Sequence, residues 1–525
     1  MNATDAMFHL DAVARSVPEP VLPPNALNSQ ISGILRATRP FLDTDCDWIL
    51  ENIEVLQQQI SVYDALLDRI DGVRSEMQRC RDVVHKSLAA YSSTLAPIRR
   101  LPIDILRTVF REIQLSMWSD RGSPKDHQAL DFSQGPWNLG HVCGAWRDIV
   151  LSYPQLWSHL VLHFWESHPA ETPHHTVLAL KAMILRSAQH PLDIIFALDD
   201  DKEDAAVQAF SVILEESYRW RSMDLQMSLT LLEQLKVVRG KIHCLESLTM
   251  QTPYIPHSGR EELDEDVRSV FFDAPRLQKV SLHEASGLGT FMFPHHITHL
   301  AACVDNVSNL EGYQSLIECH LETDDRIDHE IIFPHRIHLP SVRRLFVSST
   351  RILAQLRLPS LDNLMVYGHD TPEVHTAVKM VNDFIYHSRC SLTRLATDSF
   401  VLIDQVFVKD CLSLMNTLVC LEIGLLWDME NIFNALASIG FLPNLQYLTL
   451  QLFSVIEPSL WDPFTAMISS RSQYLRSIRI FCSIFDDVER ISERLAPLRP
   501  PGLQLIVSMR GNNDGTSIFE IFQSG

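Results

Sequence analysis

Glycine is scarce in this chain, with 18 in 525 residues, against about 7% in ordinary proteins. That disfavours a Gly-rich nucleotide site, and neither a phosphate-binding loop nor a G-x-S-x-G nucleophile turn occurs. Ser286-Gly287-Leu288-Gly289 lacks a third glycine at dinucleotide-binding spacing and reads as a turn. The ten cysteines are scattered with no C-x-x-C pair. Such spacing suits reduced, buried thiols of an intracellular protein, cytoplasmic or nuclear, and not a disulfide framework. Basic residues are also few: 44 Lys and Arg face 65 Asp and Glu, for a net charge of −21. An acidic balance argues against nucleic acid as the partner. Asp5 and Asp11 stand where a signal peptide would carry basic residues. The uncharged stretch Asn431–Ile456 is broken by Asn434, Pro443, Asn444 and Gln446. It reads as a buried helix, a turn and a strand, not a membrane span.

What is present is globular, at 46% hydrophobic and 21% charged, with length for about three domains. Histidines cluster at His174-His175, at His295-His296 with His299, and at His335 with His338. A zinc site needs three or four convergent ligands. His295 and His299 are spaced i,i+4, but Ile297-Thr298-His299-Leu300 has strand character, so we expect no metal and no cofactor. The acidic runs Asp199–Asp201 and Glu261–Asp266 read as a charged helix start and a solvated loop.

Residues 1–40 hold Pro18, Pro20, Pro23 and Pro24 among Asn and Ser, and predict a disordered tail. Residues 41–97 predict one long amphipathic, coiled-coil-like helix. Leu56, Tyr63, Ile70, Met77, Val84 and Tyr91 recur every seven positions, and Ile53, Ile60 and Leu67 add a second seam. Asp71-Gly72 is its weak point, and Pro97 is its expected end. Such a stripe must be covered by a second copy of the helix, giving a homodimer, by a partner, or by the rest of the chain.

Next comes Leu101-Pro102-Ile103-Asp104-Ile105-Leu106, with Val109 and Phe110. Pro102 suits a first helical turn, and Ile105, Leu106, Val109 and Phe110 give one apolar face. Val142, Trp146, Ile149 and Val150 repeat the pattern, and Leu156-Trp157 follows. On periodicity alone this is a helical hairpin with a buried core. The residues themselves resemble the F-box over 98–160, and more closely the F-box-like proteins abundant in mushroom-forming fungi. The polar segment 114–136 departs from that pattern and reads as an inserted loop. The resemblance implies docking on a Skp-type adaptor of cullin-based (SCF) ubiquitin ligases. Leu101, Pro102, Ile105, Leu106, Val109 and Phe110 would bind the adaptor, and Trp146, Ile149 and Trp157 would form the F-box core.

Beyond Trp157 a unit recurs. Clear copies are Leu245-x-x-Leu248-x-Met250, Leu277-x-x-Val280-x-Leu282, Val342-x-x-Leu345-x-Val347, Leu361-x-x-Leu364-x-Val366, Leu418-x-x-Leu421-x-Ile423 and Leu445-x-x-Leu448-x-Leu450. Leu160-Val161-Leu162 begins the series, and amphipathic stretches such as Val207–Leu214 lie between copies. A unit of this length buries its apolar face only against neighbours. The pattern resembles leucine-rich repeats, without the Asn or Cys usual after the strand. The expected fold is therefore α/β, an irregular leucine-rich-repeat solenoid over 161–515 preceded by a small all-α F-box and the long N-terminal helix. Alternation along strands puts Thr249, Ser281, Phe346, Met365, Glu422, Thr449 and Arg479 on the face away from the core. Phe346 and Met365 are the apolar members and are candidates for substrate binding. The resemblances imply the substrate-recognition subunit of an SCF ligase, not itself an enzyme. Two readings compete with it: a protein-binding scaffold outside any ligase, and a hydrolase with an unrecognised site.

Overall fold

A computed structural model of the chain describes residues 3–22, 24–36, 38–119, 135–164, 173–198, 204–227, 229–252, 264–284, 288, 290–304, 307–322, 336–366, 374–397, 407–425, 429–453, 456–483, 485–496 and 503–509. The chain divides into two compact units, Met1–Pro102 and Ile103–Gly525.

In the first unit, α1 (Ala3–Arg15) and α2 (Asn25–Leu35) precede α3 (Asp43–Thr94). The tail expected to be disordered thus holds two helices. The prolines confine irregular backbone to the segment between them, and Pro24 stands just before α2, where its fixed φ costs nothing. Helix α3 runs through Asp71-Gly72 without a break for 52 residues, about 78 Å at the usual rise. Asp45 secures its start by accepting from the Leu42 N–H at 2.9 Å and from Arg39 at 2.9 Å. These bonds, the backbone one foremost, outweigh desolvation and hold the Asp45 carboxyl below its usual range. The chain's own linker covers only part of the first stretch: Gln59 exchanges two bonds with the Val21 backbone and the Tyr63 hydroxyl donates to the Pro18 carbonyl, so Leu56 and Tyr63 are half-buried while Ile53, Ile60 and Leu67 stay exposed. From Ile70 to Tyr91 the stripe stays exposed.

In the second unit, α4 (Ile103–Ser119), α5 (Gly135–Val142) and α6 (Gly144–Leu151) lead to a 3₁₀ turn at Pro154–Trp157. The inserted segment is shorter than its composition suggested. Residues 114–119 continue α4 and 135–136 begin α5, while 120–134 lie outside the described residues.

Sixteen strands follow among the described residues. They are β1 (His159–Phe164), β2 (Leu192–Leu198), β3 (Trp220–Gln226), β4 (Ser247–Thr252), β5 (Lys279–Glu284), β6 (His299–Cys303), β7 (Glu318–Glu322), β8 (Ile337–His338), β9 (Arg344–Val347), β10 (Leu356–Arg357), β11 (Asn363–Val366), β12 (Arg394–Thr397), β13 (Cys420–Leu425), β14 (Tyr447–Leu452), β15 (Ser477–Cys482) and β16 (Gln504–Met509). Fourteen form one parallel sheet in chain order, and β8 pairs with β10 apart from it. The leucine positions stay in register from strand to strand: Leu345 lies beside Leu364, Leu364 beside Leu395, and Leu395 beside Leu421. That is the ladder of a leucine-rich-repeat-like solenoid. Most strands contribute two to four core residues, and the connections add their own, such as Phe210, Ile213, Phe433 and Phe464.

The core is continuous from Leu106 in α4 to Leu503 before β16. No boundary falls at 160/161: helices α4–α6 and the strands share one interior. Arg186, from the helix after β1, lies over the rings of Trp137 at 4.6 Å and Trp157 at 4.5 Å. A solenoid needs a cover for its first repeat, and three short helices cannot bury enough surface alone.

Candidate partner-binding surfaces

The residues of 98–160 expected to bind an adaptor divide into an inward and an outward set. Leu106 and Phe110 are 5% and 0% exposed and belong to the core with Ile149, Leu156 and Trp157. They are thus spent on the fold, although they share a helical stripe with Ile105. Val109 is half-buried, and Ile103 and Ile105 are exposed. Leu101 and Pro102, in the first unit, are exposed as well. Of the expected F-box core, Trp157 and Ile149 are buried, whereas Trp146 is only half-buried, 4.7 Å from the Phe110 ring. Val142 and Leu151 add further exposed apolar side chains. Helix α4 therefore carries apolar residues on two sides, one used internally and one left over.

The second surface is the sheet face away from the helices. Leu345, Val347, Leu364 and Val366 point to the core, and Phe346 and Met365 between them are half-buried on the other face, side by side in register. The Phe346 ring lies 3.6 Å from that of His320 on β7. Thr249, Ser281 and Arg479 share this face and this half-burial. Glu422 and Thr449 do not: both are buried. The Glu422 carboxylate accepts from the Gln451 amide at 2.5 Å. Thr449 is a short side chain with the longer Tyr447 and Gln451 two positions away on the same strand and face. Alternation alone does not foresee such shielding.

Two residues earlier on each strand runs a polar row that our sequence reading did not assign. Lys279, His299, Glu318, Arg344, Asn363 and Arg394 are consecutive partners across β5, β6, β7, β9, β11 and β12. Glu318 is buried and bridges its neighbours: His299 Nε2 lies 2.8 Å from one oxygen and Arg344 Nη1 2.7 Å from the other. The Thr298 hydroxyl lies 2.8 Å from His299 Nδ1, so a neutral ring donating from Nε2 and accepting at Nδ1 satisfies both contacts. Burial lowers the His299 pKa, outweighing the Glu318 charge, and the Lys279 and Arg344 cations lower it further. A similar trio stands at the other end of the row, where Asp193 takes His159 Nε2 at 3.0 Å and Arg221 Nε at 2.8 Å. Burial alone would raise the Asp193 carboxyl, but the hydrogen bonds from His159 and Arg221 hold it below the usual carboxylate range. The signal for these trios was charge at the first or second position of successive strands, which a search for core leucines passes over. Arg344 is thus an ion-pair partner of Glu318, and Trp220, at the start of β3, is fully buried.

Both trios act in one direction with pH. Unfolded histidine takes up a proton near pH 6.5, and folded His299 does so only at lower pH, so stability falls as pH drops below about 6.5. Unfolded aspartate protonates near 3.9, so the Asp193 contribution is present above that and lost as pH falls through its depressed folded value. Denaturation midpoints should therefore decline between pH 7.5 and 5.5, and the decline should shrink in His299→Gln. Equal slopes for the two proteins would remove His299 from the account.

Among the described residues, the sheet cysteines Cys319 and Cys420 are not activated as nucleophiles. Burial pushes the thiols of Cys319 up to about 12 and of Cys420 up to about 11, far from thiolate reactivity. Among the described residues no three His, Cys, Asp or Glu are grouped to hold a metal, and no helix is long and apolar enough to cross a membrane. Of the acidic runs, 199–201 lies outside the described residues. Asp264 caps the short helix Glu265–Arg268 and pairs with Lys236 at 2.9 Å, so that run is more than a solvated loop.

No protein-family model and no curated protein matches this chain. Among solved structures, it matches an internalin (InlF) from Listeria monocytogenes str. 4b F2365 at 13% identity. The match covers 56% of this chain and 86% of the internalin, with a TM-score of 0.26. A superposition that loose carries no argument, and the repeat assignment rests on the strand ladder itself.

Proposed function

We propose that this chain is the substrate-recognition subunit of an SCF-type ubiquitin ligase, working in the cytoplasm or nucleus. The F-box-like segment docks a Skp-type adaptor, and the open sheet face holds a substrate protein near the transfer machinery. The chain makes and breaks no bonds; it acts by raising effective concentration. The observation that carries this reading is the outward apolar set of α4. Leu106 and Phe110 already supply the core, yet Ile103 and Ile105 remain exposed on the same helix. Apolar residues beyond what the fold uses mark an interaction surface, and here they fall within the Leu-Pro-x-Asp-Ile-Leu motif.

Co-expression with a Skp-type adaptor tests it. Wild-type protein should co-purify with the adaptor. Ile105→Glu should lose it while keeping the wild-type melting temperature, because the side chain is 49% exposed. Leu106→Glu should fail to fold, since an unpaired charge would enter the core. Adaptor retention by Ile105→Glu at wild-type affinity would refute the assignment. No adaptor bound by the wild-type chain would leave a scaffold outside any ligase.

A further inference from the structure

The polar row has an asymmetry of charge. Its carboxylate, Glu318, is buried and already holds two partners, His299 and Arg344. Its cations reach solvent. Lys279 and Arg394 are exposed, and neither pairs with a carboxylate among the described residues; Arg344 is part-exposed and keeps donors beyond the one given to Glu318. In a protein of net charge −21, the solvent-facing charges of this row are thus cations, and of the carboxylates elsewhere on the same face Glu322 lies 3.3 Å from His320 Nε2 and Glu422 is buried against Gln451. Phe346 and Met365 lie two residues further along their strands, between those cations.

The spacing is set by the sheet. Lys279 on β5 and Arg344 on β9 are three strand steps apart, and Arg344 and Arg394 are two. At about 4.8 Å per step these are roughly 14 and 10 Å. An extended peptide advances about 3.3 Å per residue, so the cations recur roughly every four and every three residues. Like charges held so far apart on a rigid sheet repel little through water, and each offers a separate anchor for an anion.

We propose that this face binds an extended acidic peptide segment laid across the strands. Its carboxylates meet Lys279, Arg344 and Arg394, and an apolar side chain between them covers Phe346 and Met365. This deepens the reading of the sheet face as the substrate surface and rests on that part of it, not on the ligase assignment. Complementary charge here governs the association rate and the choice of partner more than raw affinity. The rest of the molecule, being acidic, disfavours the same peptide elsewhere.

Selection from a randomised twelve-residue peptide library displayed against the full chain tests the proposal. Enriched sequences should carry Asp or Glu at intervals of three or four, around a central aliphatic or aromatic residue. Affinity for a selected peptide should fall at least tenfold in Lys279→Glu/Arg394→Glu and weaken as salt rises from 50 to 300 mM. Both substitutions sit on exposed side chains, and an unchanged melting temperature confirms that the fold is intact. Selection without acidic enrichment, no selection at all, or undiminished binding by the double variant would each overturn the inference. Adaptor co-purification, measured on the same double variant, should be unchanged. Its loss in Ile105→Glu with peptide selection intact keeps the two claims separable.

Discussion

Trp157→Ala should destabilise the second unit by about 3–5 kcal/mol, the usual range for deleting a large buried aromatic. The side chain is 1% exposed. Its indole N–H donates to the Val150 carbonyl at 2.9 Å, its ring meets Trp137 edge-on at 5.0 Å, and Arg186 lies over it. Each of these partners belongs to a different helix or turn, and Trp157 itself immediately precedes the first strand. Its loss opens a cavity at the junction where the short helices cover the first repeat. Because the core is continuous, the cavity should lower the denaturation midpoint of the whole second unit and not release a separate F-box. Trp157→Phe keeps most of the volume but removes the short bond to the Val150 carbonyl, which keeps only a long one from the Tyr153 N–H at 3.4 Å, a smaller cost of roughly 0.5–1.5 kcal/mol. Trp146→Ala, at a half-buried site, should cost clearly less than Trp157→Ala. Equal losses at Trp146 and Trp157 would show that burial does not set the order.

These two tryptophans also show how far the sequence reaches. Helical spacing made both candidates for a core, and periodicity cannot rank them, since the stripe of a helix is wider than the contact it makes. Helix α4 shows the same effect: Ile105 and Leu106 belong to one apolar run, yet only Leu106 is buried. The repeat was legible because a strand period of two leaves its mark in every copy, as at Leu345-Phe346-Val347 and Leu364-Met365-Val366. Which outward positions stay open was not. Glu422 and Thr449 obey the alternation and are buried all the same, because cover comes from neighbours such as Gln451 that pattern does not connect to them. The polar row was hidden for a related reason. His299, Glu318 and Arg344 are 19 and 26 residues apart along the chain, and only the strand register makes them adjacent.

Register also creates the most demanding single position, and Arg471→Met should cost about 3–5 kcal/mol. Arg471 ends the helix Trp461–Arg471 and is 2% exposed. Its guanidinium reaches back one repeat, to the end of the helix Met429–Ala437 and the turn after it. Nε donates to the Leu436 carbonyl at 2.6 Å, Nη1 to Leu442 at 3.1 Å, and Nη2 to Ser438 at 2.5 Å and to Phe441. The last carbonyls of a helix lack partners within it and carry its negative end, so a buried cation is favourable there without any carboxylate. The turn it grips includes Leu442 at φ +48°, a left-handed conformation costly for a branched residue, and the bonds to Phe441 and Leu442 help hold it. Arg219 serves the helix Pro173–Arg186 similarly, donating to the carbonyls of Ile184, Ala188 and His190, and there it also pairs with the Glu216 carboxylate at 2.7 Å. There too a non-glycine, Ala188, sits at positive φ. Methionine would fill much of the volume and satisfy none of the four acceptors; Ser438 and Leu442 keep the Phe441 and Leu445 N–H groups, and the Leu436 and Phe441 carbonyls, stripped of the guanidinium, account for the size of the loss. Lysine keeps the charge but not the fork that spans several carbonyls, so Arg471→Lys should fall between. Urea midpoints for wild type, Arg471→Lys and Arg471→Met should follow that order. A methionine variant within about 1 kcal/mol of wild type would mean that water replaces the guanidinium at no cost, and that the seal between repeats lies in the leucine ladder alone.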